Sequence, residues 1–135
     1  VKDVIRQHGL NKEQSAVFGS VASHLLLDSD EQLLMLVTGG GGTGKSYVVR
    51  AIETLFSKVS ASHRLRKAGP TGCSAYLIAA ETLHYMLGLN FDNKPNVNTL
   101  ANLQAEWAGV KYLVIDEVSM IGARLLSKIS ERLGL

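Results

Sequence analysis

The stretch LLMLVTGGGGTGKSYVVRAI, residues 33–52, joins an apolar run, four consecutive glycines and a lysine. Glycines in a row lose backbone entropy on folding and add no packing, so Gly39, Gly40, Gly41 and Gly42 imply a need for backbone freedom or close ligand approach. Gly39, Gly44, Lys45 and Ser46 meet the spacing G-x-x-x-x-G-K-[ST], with Thr43 inside it. Such a loop has to leave a strand and open a helix. Residues 33–37 are continuously apolar, as in a parallel strand covered on both faces, and predict that strand. Val48, Val49, Ile52, Leu55 and Phe56 recur at helical spacing and predict the helix. The N–H groups of residues 42–46 would then converge on a phosphate at a helix N-terminus, where the macrodipole favours negative charge. Lys45 would reach the β- and γ-phosphates, and the Ser46 hydroxyl would bind Mg2+. The competing view, a glycine-rich turn beside a surface lysine, leaves both flanks unexplained.

The remainder of the composition is compatible with one folded domain. The chain has 135 residues, 46% apolar and 19% charged, which excludes a disordered segment and leaves too little length for two ordinary domains. A net charge of +2 permits nucleic-acid binding without arguing for it. The single cysteine, Cys73, excludes an internal disulfide and a cysteine-rich zinc site, so a reducing, intracellular setting is expected. No apolar run approaches membrane-spanning length, and no membrane partner is expected. A first residue Val1 and a last residue Leu135 suggest a piece of a larger protein.

Along the chain, a short helix is expected to end near Gly9, and Asn11 to cap a second with Ala16, Val17, Val21 and Leu25 as its apolar stripe. Asp28, Ser29 and Asp30 predict a turn. A strand is expected before Pro70, but His63, Arg64, Arg66 and Lys67 interrupt it, which suggests partial exposure or an edge position and a solvated basic face. Residues 74–87 read as a helix with Leu77, Ile78, Leu83 and Leu87 inward, and residues 91–99 as a surface loop. Leu100, Leu103 and Trp107 suit one helix face. Residues 112–115 form an apolar strand, and Leu125, Leu126, Ile129 and Leu133 mark a last amphipathic helix. Alternating strands and helices argue for a parallel α/β sheet. The strand at 112–115 ends in Asp116 and Glu117, at the sheet end where ligands of α/β folds bind. Asp116 would hold Mg2+ and Glu117 would polarise an attacking water.

Five motifs occur together in one order: LNKEQ at 10–14, GGGGTGKS at 39–46, GPTGCSAYLI at 69–78, ETLHYMLGL at 81–89 and LVIDEVSMIG at 113–122. In this set the chain resembles superfamily 1 DNA helicases, most of all the PIF (petite integration frequency) family and its Helitron-type relatives. The resemblance implies a P-loop NTPase fold, a RecA-like parallel sheet flanked by helices on both faces, with residues 1–135 as the first ATP-binding lobe. It implies ATP and Mg2+ as cofactors, held by Gln14, by residues 39–46 and by Asp116 and Glu117, with Lys45, Asp116 and Glu117 catalytic. Gln14 would read the adenine edge, and the alternative for it is a solvated helix residue. Pro70, Thr71 and Gly72 would hold single-stranded DNA phosphates without reading bases. His84 would either contact DNA or lock its helix onto the core. Partners implied are single-stranded DNA, duplex junctions and a second RecA-like lobe of the same parent.

The activity implied is 5′-to-3′ unwinding in DNA repair, recombination or telomere maintenance, in a nucleus or mitochondrion. The later glutamine motif and an arginine finger have no counterpart in these residues, and Tyr85 stands where the family often has serine. The rivals are another P-loop NTPase and a truncated or transposon-derived nucleotide- or DNA-binding module without turnover. A guanine-reading Asn/Thr-Lys-x-Asp motif is not supplied by the DNKP at 92–95.

Overall fold

The computed structural model describes residues 1–39, 44–69, 81–82, 97–116 and 123–133. They fall into two compact units, Val1–Ser62 and His63–Leu135.

The first unit is a set of three helices. Helix α1, Lys2–His8, buries Val4 and stops at Gly9, whose φ of 60° is the left-handed conformation that glycine adopts without strain. Helix α2, Lys12–Leu26, starts with a reciprocal capping box between Asn11 and Gln14. It ends in a turn through Asp28, whose φ of 47° lies in the region that aspartate tolerates. Helix α3, Lys45–Lys58, buries Val48, Ala51, Ile52, Leu55 and Phe56, an unbroken stripe at helical spacing. Both α1 and α2 pack on α3. The stripe expected on α2 is rotated: Phe18, Ala22 and Leu25 are buried, Val17 and Val21 are half-buried, and Ala16 is exposed. Phe18 carries the largest apolar surface of that helix, and fully burying such a side chain is worth about 1.5–3 kcal/mol, so it sets the inward face. A hydrogen bond of 2.8 Å joins His8 Nε2 to Thr54 Oγ1. Because the Thr54 hydroxyl proton is donated to the Arg50 carbonyl, His8 Nε2–H is the donor.

The second unit is built on a parallel three-stranded sheet of order β2-β1-β3, with β1 at Leu65–Gly69, β2 at Glu81–Thr82 and β3 at Tyr112–Ile115. Leu65 pairs with Tyr112 and Ala68 with Ile115, while Ala68 and Gly69 pair with Glu81 and Thr82 on the other side. Helices α4, Val97–Trp107, and α5, Ala123–Leu133, belong to the same unit. The result is an α/β unit with a parallel sheet, as the alternation predicts.

Four expectations need correction. Residues 33–37 form no strand and pair with none of the described strands; Leu34 and Leu36 are 79% and 69% exposed. An apolar run acquires a ladder only where a neighbour supplies the complementary N–H and C=O groups. Strand β1 is partly exposed over Leu65–Lys67, as one alternative had it, but it is neither an edge nor a fully solvated basic face. It lies between β2 and β3, with Arg64, Arg66 and Lys67 half-buried. Arg66 is accommodated because its guanidinium lies 4.7 Å from the centroid of the Trp107 ring, a cation–π contact that joins β1 to α4. Glu81 and Thr82, expected within a helix, form strand β2, and Val97, expected in a loop, opens α4. The remaining residues of 74–87 and 91–96 lie outside the described residues. On α4, Leu103 and Trp107 are half-buried as expected; on α5, Ile129 is buried but Leu126 is 53% exposed, and the side chains of Leu125 and Leu133 are not described.

Candidate nucleotide site

The start of α3 differs from the starts of the other long helix of its unit. Helix α2 has a side-chain cap and Glu13 in its first turn, whereas α3 has neither a side-chain cap nor an acid there. Its N-cap is Gly44, at φ 80° and ψ 27°. That combination leaves the positive end of the helix dipole without an anionic partner from its own first turn. Lys45 opens the helix, and its Nζ donates to the Gly39 carbonyl at 2.7 Å. The ammonium therefore reaches back from the helix start to Gly39. Ser46 is exposed beside it.

Gln14 occupies a place that motif spacing alone does not reveal. Its Nε2 donates to the Gly44 carbonyl at 3.2 Å, while its Oε1 accepts from the Asn11 backbone N–H at 2.9 Å. The side chain thus spans from the N-cap of α2 to the N-cap of α3. A Cβ on Gly44 would collide with Gln14 Nε2, so this glycine answers both to its dihedral and to its neighbour. The capping half of this arrangement was visible in the sequence as Asn11-x-x-Gln14, the spacing of a capping box. The Gly44 half was not, because it joins residues thirty positions apart.

In the second unit, Asp116 follows β3 directly, and its N–H donates to the Ala68 carbonyl at 2.9 Å. This bond continues the ladder by one residue and fixes the Asp116 backbone at the C-terminal end of the parallel strands, where β1 also ends with Gly69. Asp116 itself is half-buried. Glu117, Pro70, Thr71, Gly72, His84, Gly40, Gly41, Gly42 and Thr43 lie outside the described residues.

Within the first unit, the Lys45 ammonium, the uncapped N-terminus of α3 and the Ser46 hydroxyl suit the oxygens and the cation of a magnesium-bound phosphate in kind; in the second unit, the Asp116 carboxylate is a hard oxygen donor of the kind Mg2+ prefers. Among the described residues no cluster of three or more His, Cys, Asp or Glu forms a metal site of its own. A phosphate-bound Mg2+ needs only one or two protein oxygens.

Residues 27–134 match the family described as AAA domain. The chain belongs to that family. This AAA domain is 32% identical over 100 residues to the ATP-dependent DNA helicase RRM3 of Saccharomyces cerevisiae, covering 70% of this chain and 14% of that protein. The ATP-dependent DNA helicase PIF1 of Danio rerio is 30% identical over 125 residues, covering 89% of this chain and 18% of that protein. The ATP-dependent RecD2 DNA helicase of Deinococcus radiodurans is 31% identical over 124 residues, covering 87% and 15%. These relatives agree with the resemblance to PIF-type helicases carried by the five motifs, and the AAA domain spans less than a fifth of the length of each. No solved structure gives a significant match. Among the described residues, no helix is long and apolar enough to cross a membrane.

Proposed function

We propose that this AAA domain is the first RecA-like lobe of a 5′-to-3′ DNA helicase motor, with helices on both faces of its sheet, and that it binds and hydrolyses MgATP. The observation that carries the reading is the start of α3: a left-handed Gly44, no side-chain cap, no acid in the first turn, and Lys45 turned back onto the Gly39 carbonyl. In this reading the N–H groups of residues 42–46 and the Lys45 ammonium hold the β- and γ-phosphates. Ser46 and Asp116 supply oxygens to Mg2+, and Glu117 orients and polarises the attacking water. Bound MgATP supplies a γ-phosphoryl group activated for in-line attack, and the protein contributes position and charge. By the resemblance, Gln14 would read the adenine edge in addition to making its bonds to Asn11 and Gly44.

DNA enters the reading through the relatives, each named a DNA helicase. Pro70, Thr71 and Gly72 hold phosphates of single-stranded DNA at duplex junctions, His84 is a further DNA contact, and a second RecA-like lobe closes on the nucleotide. The resemblance to PIF-type helicases, rather than the relatives' names, adds work in DNA repair, recombination or telomere maintenance, in a nucleus or mitochondrion, to this proposal.

Binding is tested by titrating MgATP against the wild-type chain and Lys45→Ala. Loss of a charge-assisted contact worth roughly 1.5–3 kcal/mol should weaken affinity about ten- to a hundredfold. Equal affinity in a folded Lys45→Ala protein would remove the assignment. ATP hydrolysis measured with and without single-stranded DNA separates a DNA motor, whose turnover the DNA raises, from a general P-loop NTPase, whose turnover it leaves alone.

A further inference from the structure

The Gln14 amide is engaged at both of its ends, by Asn11 N–H at the oxygen and by the Gly44 carbonyl at the nitrogen. The Gly44 carbonyl in turn takes two donors, Gln14 Nε2 and, at 3.1 Å, the Tyr47 N–H inside the first turn of α3. The peptide between Gly44 and Lys45 is planar and trans, so the direction of the Gly44 C=O dictates the direction of the Lys45 N–H, which points the opposite way. A glycine at φ 80° has no Cβ to hold that plane, and its neighbours must do so. Among the described residues, Gln14 is the side chain that bonds this carbonyl, and α2 holds Gln14 through the capping box.

From this geometry we infer that Gln14 is a positioning residue for the phosphate loop: it orients the Gly44–Lys45 peptide so that the Lys45 N–H and side chain are preset for a polyphosphate, whatever base is attached. The inference rests on the nucleotide reading of the α3 start and extends it from base recognition to phosphate recognition. Its consequence is that Gln14 matters for a ligand that has no base.

The probe is therefore inorganic tripolyphosphate with Mg2+, titrated by calorimetry beside MgATP and MgGTP against the full chain. Gln14→Met keeps the length of the side chain and removes both hydrogen bonds. Gln14→Glu keeps the acceptor for Asn11 N–H, and with it the helix cap, but sets an oxygen against the Gly44 carbonyl. Asn11→Ala removes the side-chain half of the cap and keeps the backbone N–H that holds Gln14. Both Gln14 variants should bind tripolyphosphate about three- to tenfold more weakly, the range expected for one hydrogen bond, while Asn11→Ala should change it less than twofold. Wild-type tripolyphosphate affinity in Gln14→Met would overturn the positioning role, and a loss confined to Gln14→Glu would reduce it to charge repulsion. A loss in Asn11→Ala as large as in Gln14→Met would assign the effect to the stability of α2 and overturn the inference too. If the folded wild-type chain binds none of the three ligands, the nucleotide reading itself fails. That outcome differs from a wild type that binds all three and a Gln14→Met that does so equally well.

Discussion

Residues 33–37 and strand β1 are equally long and belong to different units, and their surroundings are opposite. The first has five apolar side chains and is exposed throughout; the second sets Arg66 and Lys67 between Leu65 and Ala68, and its Ala68 and Gly69 are buried. What separates them is neighbours. Strand β1 has β3 along one edge and β2 along the other, and Trp107 takes up the charge of Arg66. Residues 33–37 have no described ladder partner, and hydrophobicity alone does not make one. A strand is a property of a pair, and composition reports only the willingness of one member.

The sharpest way to break this comparison is to place a carboxylate in each region. Ala68→Asp puts a charge where the side chain is 0% exposed, and an uncompensated buried charge costs about 3–5 kcal/mol. Leu34→Asp, at a side chain 79% exposed, should stay within roughly 0.5 kcal/mol. Urea unfolding of the two variants measures both; similar losses would mean that residues 33–37 are covered in solution.

A backbone test is next in size. The amides of β3 and of Asp116, which lie in the ladder, should exchange with solvent on the order of a hundredfold more slowly than those of residues 34–36, equivalent to about 2.7 kcal/mol. Equal protection would show that residues 33–37 carry hydrogen bonds of their own. The smallest expected effect concerns the contact that lets β1 carry an arginine. A double-mutant cycle on Arg66→Ala and Trp107→Leu should give a coupling of about 1 kcal/mol, between the exposed and desolvated limits of a cation–π pair. A coupling indistinguishable from zero would leave the central place of β1 to its two backbone ladders alone.

Legibility in the sequence followed the range of the interactions. Gly9, Asn11 and the start of α3 were readable because caps and amphipathic stripes are settled within a few residues of themselves. The strand at Tyr112–Ile115 was readable because an apolar β-branched run agreed with its later neighbours. The strand before Pro70 and its partial exposure were readable, but its central place was not, because its tolerance for Arg66 depends on Trp107, about forty residues away, and no local pattern announces that pairing. In the candidate nucleotide site, the loop spacing and Lys45 were read from the glycine run and the helical stripe that follows it, while the strand expected before them did not form. The bond from Gln14 to Gly44 was hidden for the same reason as β1: it depends on how two helices meet.

The register of the sheet also has a meaning in time. Leu65 pairs with Tyr112, so during synthesis β1 waits for about 50 further residues, or ~2–10 s at the usual 5–20 residues per second, before its β3 partner exists. In the first unit, α1 and α2 both pack on α3 within the first sixty residues and need no such wait. A nascent strand rich in valine and isoleucine would spend those seconds as a site for association with other chains. Arg66 and Lys67, with Arg64 just before the strand, give this segment a cluster of like charges through that interval, which repels other copies of it until Trp107 and β3 arrive to cover it.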